Sequence, residues 1–246
     1  MGRITCKLAN KAHRRASRKK NAFSEEEEKG TVIKQALVAG APTYLLLPEG
    51  SQNSAVVLHG YGGVKEEVLG LGLAAAAAGY AVCVPDLPGH GAHPGMLTGG
   101  SIREFAAGLR SAGFTAAVGH SLGGLVAAVL GTAVLCLLSV PLEARFAGGK
   151  SELLRVLRAR RVREKKPYAG LEEAFAALGG PWPGPPVLLL HAVRDLPVCL
   201  AAAARGKETG WEVRAIRGAG HLDIVTAPET LSAVASWLKK GDSFQR

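Results

Sequence analysis

Short apolar segments alternate with helical segments along most of this 246-residue chain. Strands are predicted at residues 31–38, 44–47, 55–58, 80–84, 114–118, 133–138, 187–190 and 211–216. Helices are predicted at residues 65–78, 101–111, 122–130, 171–178, 201–204 and 228–240. This alternation favours an α/β fold in which a mostly parallel sheet carries helices on both faces. Ligands of such sheets bind beyond the carboxyl ends of the strands, so residues that directly follow a strand are the first candidates for a site.

One segment, residues 139–180, interrupts the alternation. It contains a basic helical stretch at 151–164 and the helix predicted at 171–178. We expect this segment to form a small helical lid that shapes the roof of a pocket. The main domain is therefore predicted to span residues 31–246, with the lid inserted at about 139–180.

The formal net charge of +10 is concentrated in two stretches. Residues 1–20 contain eight Lys or Arg and no acidic residue, and residues 150–166 contain eight basic and two acidic residues. The rest of the chain is nearly neutral, so we expect a small-molecule partner and no nucleic acid. Residues 1–30 are predicted to be a disordered tail, whose basic half would contact an anionic surface only weakly.

The cysteines and the apolar runs indicate the compartment. None of the four cysteines lies in a C-x-x-C pair, so we expect free thiols in a reducing environment. No apolar run reaches the roughly 18 residues of a membrane span. The N-terminus lacks the apolar stretch of a secretory signal. We therefore expect a cytoplasmic protein, and organelle targeting by the basic N-terminus stays open.

The segment Gly119-His120-Ser121-Leu122-Gly123 follows a predicted strand and precedes a predicted helix. Its G-x-S-x-G pattern is typical of a serine held on a sharp turn between these two elements. Serine is a weak nucleophile near neutral pH, so it needs a neighbouring base and a turn that exposes its hydroxyl. Composition alone predicts such a pattern roughly 0.2 times in a chain like this, so an ordinary Gly-rich turn is the alternative.

The Gly-rich segment from His59 to Gly63 also follows a predicted strand. A loop of this kind can turn backbone N–H groups towards the oxyanion of a tetrahedral intermediate. We predict the amides of Tyr61 and Leu122 as the two donors. His59, Gly60 and His120 flank this region and are candidate residues of a substrate pocket, and the two histidines also fit a structural role.

Asp195 and His221 are the remaining candidates, and each lies in a loop after a predicted strand. A serine nucleophile needs an imidazole nitrogen beside it, and the other ring nitrogen needs an acid that orients it. Serine, then aspartate, then histidine is the chain order of this arrangement on parallel sheets. Asp86 is the best substitute for Asp195 as the acid.

Four blocks in this order resemble the α/β-hydrolase superfamily over about residues 31–240. They are His59-Gly60, the segment from Asp86 to Gly91, the segment from Gly119 to Gly124, and the pair Asp195 and His221. The resemblance implies an eight-stranded sheet, no cofactor and no metal. It also implies that Ser121 is the nucleophile, His221 the base, Asp195 the acid, and Tyr61 and Leu122 the oxyanion donors. The chain departs from many members at Ala192, where they have glycine.

The resemblance is to the esterase, lipase and serine-aminopeptidase-like members. It implies a serine hydrolase that cleaves a carboxylic ester or a related acyl bond through an acyl-enzyme. The aspartate-nucleophile chemistry of dehalogenase or epoxide-hydrolase relatives is disfavoured, because the turn carries Ser121. The alternatives are a thioesterase or acyltransferase, or a non-catalytic binding protein on the same fold.

Overall fold

The computed structural model describes residues 30–142, 159–180, 182–184 and 186–244. The predicted N-terminal tail, except for Gly30, lies outside the described residues. Residues 143–158, which include most of the basic helical stretch predicted for the lid, lie outside them as well. No helix in the described part of the chain is long and apolar enough to cross a membrane.

A single sheet of eight strands organises the described residues. The strands are β1 (Thr31–Val38), β2 (Ala41–Pro48), β3 (Asn53–Leu58), β4 (Tyr80–Pro85), β5 (Ala116–His120), β6 (Val134–Leu138), β7 (Val187–Arg194) and β8 (Glu212–Gly220). Their order across the sheet is β1-β2-β4-β3-β5-β6-β7-β8. β2 is antiparallel to β1 and β4, and all other neighbouring pairs are parallel. The predicted mostly parallel eight-stranded sheet is therefore confirmed.

Helices cover both faces of the sheet. They are α1 (Leu69–Ala77), α2 (Gly99–Ala112), α3 (Leu122–Ala128), α4 (Ala169–Leu178), α5 (Pro197–Glu208) and α6 (Pro228–Phe244). Alternate residues of the central strands point to opposite faces, since Val56 and Leu58 pack in one buried cluster and Ala55 and Val57 in the other. The first cluster takes in α2, α3, α4 and α5, and the second takes in α1 and α6.

The element boundaries differ from the predicted ones at the first hairpin. The turn was predicted at residues 40–42, but it consists of Ala39 and Gly40, with φ of 50° and 75°. Two left-handed residues are the geometry of a type I′ turn, which matches the twist of the strands it connects. β2 therefore starts at Ala41, three residues earlier than predicted.

The last two strands are longer than predicted, and this positions two candidate site residues. β7 continues to Arg194 and β8 continues to Gly220, where Arg194 pairs with Gly220 beyond an irregularity in the register. Asp195 and His221 therefore directly follow the paired ends of adjacent parallel strands. The strand pairing therefore holds Asp195 and His221 at the same edge of the sheet. Flexible loops after shorter strands would not fix their separation.

Candidate active site

Ser121 lies on a sharp turn between β5 and α3, with φ 50° and ψ −116°. Backbone hydrogen bonds fix this turn, because Ser121 N–H donates to Leu138 O (2.9 Å) and Gly124 N–H donates to Ser121 O (3.0 Å). A Cβ at Gly119 would lie 2.4 Å from the carbonyl oxygen of Gly123. A Cβ at Gly123 would lie 2.4 Å from the carbonyl oxygen of His59. The two glycines of the motif are therefore required by close backbone approach on both sides of the serine.

The structure brings Ser121, His221 and Asp195 together through two consecutive side-chain contacts. His221 Nε2 lies 3.2 Å from Ser121 Oγ, and His221 Nδ1 lies 2.8 Å from Asp195 Oδ1. Since a carboxylate accepts hydrogen bonds, Nδ1 carries the proton and Nε2 is left to accept one from the serine hydroxyl. The His221 side chain is 16% exposed and that of Asp195 is fully buried.

Asp195 is held by hydrogen bonds on both carboxylate oxygens. Leu196 N–H donates to Oδ1 (2.8 Å), while Ser139 Oγ (2.5 Å) and Ala192 N–H (3.0 Å) donate to Oδ2. Burial by itself would raise the pKa of this carboxyl group. The hydrogen bonds and the charge interaction with His221 outweigh burial and lower the pKa to about 2. Asp195 therefore stays ionised and can stabilise a protonated His221.

We expect the stability of the protein to depend on pH through Asp195. Its pKa of about 2 in the folded protein lies below the ordinary aspartate value of 3.8, so its stabilising contribution is present above pH 4 and is lost as pH falls towards 2. A shift of this size corresponds to about 2 kcal/mol. In urea unfolding at pH 5, 4 and 3, the Asp195→Asn variant should lose less stability with falling pH than the wild type. Equal slopes would contradict this account.

Ser139 is a site residue that the sequence analysis missed. It directly follows β6, has φ 48° and is buried, and its N–H donates to Leu190 O (2.8 Å). This strained turn directs the Ser139 hydroxyl towards the carboxylate of Asp195, which lies 56 positions further along the chain. The available signal was its place at a strand end, the same rule that pointed to Asp195 and His221.

His120 supports the loop of His221. Its Nε2 donates to the backbone carbonyl of His221 (2.8 Å), and the two ring centroids lie 5.1 Å apart. A Cβ at Gly60 would lie 2.8 Å from His120 Nδ1 and 3.1 Å from Ser121 Cβ. Gly60 and His120 therefore flank the serine, and their role in substrate binding remains a proposal.

His59 has the contacts of a structural residue, and its place in a substrate pocket stays a prediction. It is fully buried, its Nε2 accepts from Leu87 N–H (3.0 Å), and its Nδ1 therefore donates to Gly60 O (2.9 Å). With both ring nitrogens bound to backbone groups, His59 ties the Gly-rich loop to the loop after β4. This is the structural role that was its alternative.

The two predicted oxyanion donors reach the serine by different routes, since Leu122 directly follows Ser121 in the chain and Tyr61 belongs to the Gly-rich loop that packs against it. Leu122 is the first residue of α3, where backbone N–H groups have no acceptor within the helix. Tyr61 follows Gly60, the residue that lies against Ser121 Cβ. Their assignment as oxyanion donors belongs to the proposal below.

Comparison with known proteins concerns the fold. No protein-family model matches the chain, and no curated protein matches it either. A monoacylglycerol lipase from Paleococcus ferrophilus aligns with 86% of this chain and 99% of its own, at 19% identity and a TM-score of 0.61. A serine hydrolase from Cycloclasticus zankles aligns with 88% and 99%, at 17% identity and a TM-score of 0.61. An epoxide hydrolase from Vigna radiata aligns with 88% and 99%, at 16% identity and a TM-score of 0.60. The chain has the α/β-hydrolase fold.

In this α/β-hydrolase fold, Asp86 is committed to a buried ion pair. Its carboxylate accepts from Lys65 Nζ (2.7 Å), Lys65 N–H (2.9 Å) and Ala92 N–H (3.0 Å). Burial opposes charge on both side chains, but their pairing outweighs it, so the pKa of Asp86 is lowered and that of Lys65 is raised. His221 is bound to Asp195. Asp86 therefore orders its own loop, and Asp195 stays the predicted acid.

Glu164, to which no sequence motif points, joins the segment predicted to form the lid to the Gly-rich loop. Its Oε1 accepts from Tyr61 Oη (2.5 Å) and Tyr168 N–H (2.8 Å), and its Oε2 accepts from Gly170 N–H (3.0 Å). Burial and the Glu164 carboxylate raise the pKa of the Tyr61 phenol, which keeps it protonated as a donor. One carboxylate thus holds the start of α4 and the side chain of a predicted oxyanion residue.

Two arginines of the segment predicted to form the lid, Arg161 and Arg163, also bind this neighbourhood. Arg161 donates to Glu67 (3.0 Å) and to Gly62 O (3.5 Å). Arg163 donates through its guanidinium to the carbonyls of His90 (3.2 Å) and Gly91 (3.1 Å). These two side chains therefore hold the segment predicted to form the lid against the Gly-rich loop and the loop after β4. They do not form a purely solvated basic face.

Replacing Glu164 by glutamine should lower the free energy of unfolding by about 1–3 kcal/mol, because an amide nitrogen takes the place of one accepting oxygen and leaves a donor unpaired. Guanidinium unfolding would measure the change. Glu172→Gln is the matched control, since Glu172 lies exposed on α4 and its loss should matter by less than about 0.5 kcal/mol. Equal effects of the two variants would show that Glu164 does not hold this junction.

One group of described side chains has the composition and spacing of metal ligands. The ligand atoms of Asp195, Cys199 and His221 all lie within 4.8 Å of one another. His90 and His93, which the sequence places near Asp86, do not form such a group among the described residues. His90 is instead neutral, because burial lowers its pKa to about 3.

Proposed function

We propose that this protein is a serine hydrolase that cleaves a carboxylic ester or a related acyl bond. One observation carries the proposal. A serine hydroxyl on a strained strand-to-helix turn lies 3.2 Å from an imidazole nitrogen whose other nitrogen is bound to a buried, ionised carboxylate. This arrangement supplies the base, the orienting acid and the exposed nucleophile that acyl transfer from a serine needs.

In the proposed reaction, His221 takes the proton of Ser121 as Oγ attacks the carbonyl carbon. Asp195 holds the imidazole in the tautomer that can accept this proton and stabilises the imidazolium that results. Because the pKa of Asp195 is lowered to about 2, the carboxylate remains charged throughout. The carbonyl oxygen becomes an oxyanion, which the backbone amides of Tyr61 and Leu122 are proposed to bind.

Collapse of the tetrahedral intermediate transfers the proton from His221 to the leaving alcohol or amine and leaves an acyl group on Ser121. Water, activated by the same imidazole, then attacks the acyl-enzyme and regenerates the serine. His120 supports this cycle indirectly, since its hydrogen bond to the carbonyl of His221 holds the loop that carries the base. The nucleophile is the hydroxyl oxygen of Ser121, so the aspartate-ester chemistry considered from the sequence is not proposed.

The proposal is tested by labelling and by turnover of the full-length protein. A fluorophosphonate probe should modify the wild type at the peptide that contains Ser121, and a series of p-nitrophenyl esters should be hydrolysed with a preference that defines the acyl group. Lack of both labelling and turnover in a folded sample would favour the non-catalytic binding protein.

The nature of the acyl acceptor needs a separate measurement. Product analysis in the presence of competing alcohols distinguishes hydrolysis from acyl transfer, and acyl thioesters can be compared with oxygen esters of the same chain length. Transfer to the alcohol in preference to water would replace the hydrolase by an acyltransferase, which uses the same acyl-enzyme.

A further inference from the structure

We propose that Asp195, Cys199 and His221 form a binding site for a borderline-soft divalent metal ion of the zinc type, and that metal binding inactivates Ser121. The site uses a thiol that the proposed reaction does not need. Binding of the metal stands on its own, whereas the loss of activity rests on the proposed hydrolase function.

The three ligands come from neighbouring elements that meet at one edge of the sheet. Asp195 directly follows β7, Cys199 lies in the first turn of α5, and His221 directly follows β8. Cys199 Sγ lies 3.8 Å from His221 Nδ1, and His221 Nδ1 lies 2.8 Å from Asp195 Oδ1. A thiolate, an imidazole and a carboxylate are ligands that zinc takes in proteins.

The spacing is close to what a tetrahedral ion requires. With bonds of about 2.3 Å to sulfur and about 2.0 Å to nitrogen or oxygen, such an ion holds S and N about 3.5 Å apart and N and O about 3.3 Å apart. Compared with the distances above, the sulfur has to approach slightly and the carboxylate has to move away by about half an ångström. The third distance, from Cys199 Sγ to the Asp195 carboxylate, lies within 4.8 Å.

The charges balance in the bound state. Cys199 is buried, and burial together with the nearby Asp195 carboxylate raises the pKa of its thiol, which donates to Ser139 O (3.1 Å). A dication takes the place of the thiol proton, because a coordinating thiol is deprotonated by the metal. One thiolate and one carboxylate neutralise the two positive charges, so the complex carries no net charge in a buried place. One proton is released to solvent.

The imidazole keeps its proton but changes tautomer. When Nδ1 binds the metal, the proton that it shared with Asp195 moves to Nε2. Nε2 then donates towards Ser121 Oγ, 3.2 Å away, where the proposed reaction needs it to accept. Ser139 Oγ remains hydrogen-bonded to the other oxygen of Asp195 and orients the coordinating carboxylate from outside. The metal therefore removes the base without displacing the serine.

The site is tested with Co²⁺ as the probe, because a thiolate bound to Co²⁺ gives a charge-transfer absorption in the near ultraviolet. The full-length wild type and the Ser121→Ala variant are titrated, and both should show the band at one equivalent. Cys199→Ser should abolish it. Cys136→Ala and Cys6→Ser should keep it, since Cys136 is a buried thiol outside any ligand cluster of the described residues and Cys6 is the cysteine of the tail.

A second readout follows ester turnover in the presence of Zn²⁺. Removing one ligand should raise the inhibitory zinc concentration by more than about tenfold in Cys199→Ser, relative to the uninhibited rate of that variant. A chelator should restore the wild-type rate. Absence of the cobalt band in the wild type overturns the site whatever the variants do, and a band that survives in Cys199→Ser overturns it as well.

The two proposals fail separately. If the folded wild type turns over no ester but gives the cobalt band, the hydrolase function is wrong and the metal site stands. If Co²⁺ binds through Cys199 while Zn²⁺ leaves turnover unchanged, the inactivation is wrong.

Discussion

Replacing Ser121 by alanine should lower the kcat for ester hydrolysis by about 10⁴–10⁶-fold, because no other group can form the acyl-enzyme. The fold should persist. Among the described residues, the Ser121 hydroxyl contacts only His221 by hydrogen bonding. The turn itself is held by the backbone hydrogen bonds of Ser121 with Leu138 and Gly124. The Tm of the variant should therefore stay within a few degrees of that of the wild type.

The measurement is steady-state turnover of a p-nitrophenyl ester together with circular dichroism of both proteins. Ser111→Ala is the matched control, since Ser111 is an exposed serine in α2 and its removal should change neither rate nor fold. If Ser121→Ala hydrolysed the ester as fast as Ser111→Ala does, the proposed mechanism would be excluded.

The largest loss of stability is expected from Asp86→Ala, at about 3–5 kcal/mol. The carboxylate is fully buried and accepts three hydrogen bonds from Lys65 and Ala92. Its removal strands the Lys65 ammonium, whose side chain is 10% exposed and whose other ion-pair partner is Glu66 at 3.2 Å. The free energy of unfolding of natural domains is about 5–15 kcal/mol, so this one substitution would remove a large fraction of it.

Guanidinium unfolding of two further variants separates the cost of the unpaired Lys65 charge from the cost of losing an ion pair. Lys65→Met combined with Asp86→Ala removes the stranded charge and should recover part of the loss, because an uncompensated ion is what makes the single variant costly. Glu212→Ala breaks the Arg214 pair, whose side chains are 41% and 37% exposed, and should cost at most about 1 kcal/mol. A double variant less stable than the single one would show that hydrogen bonding, not the lysine charge, dominates.

The predicted order of elements was confirmed because it depends on local properties. A continuous apolar run such as Val187–Leu190 is typical of a strand that is buried on both faces, and this property can be read from the run alone. Ser121, Asp195 and His221 could be predicted for a similar reason. Each directly follows a strand, and the carboxyl ends of parallel strands lie at one edge of the sheet. The boundaries were less accurate, because strand pairing with a neighbour extended β7 and β8 beyond their apolar cores.

The missed residues depend on contacts between distant parts of the chain. Glu164 binds the Tyr61 hydroxyl across 103 positions, and Ser139 binds Asp195 across 56. Nothing in the local sequence of Glu164 indicates which distant groups its carboxylate binds. The sequence left two roles open for His59 for the same reason, because only the packing of the Gly-rich loop decides that both its ring nitrogens face backbone groups.

By itself, the sequence determined the layered α/β architecture and the three polar residues at strand ends, because both follow from hydrophobic pattern and from glycines that permit one turn. The tertiary structure decided how these residues are tuned. It buried Asp195 under the Ser139 hydroxyl, held the loop of His221 from His120, and placed the Cys199 thiol 3.8 Å from the imidazole. These contacts join side chains that come together only when the sheet forms. The order of residues in the sequence does not give the distances between them.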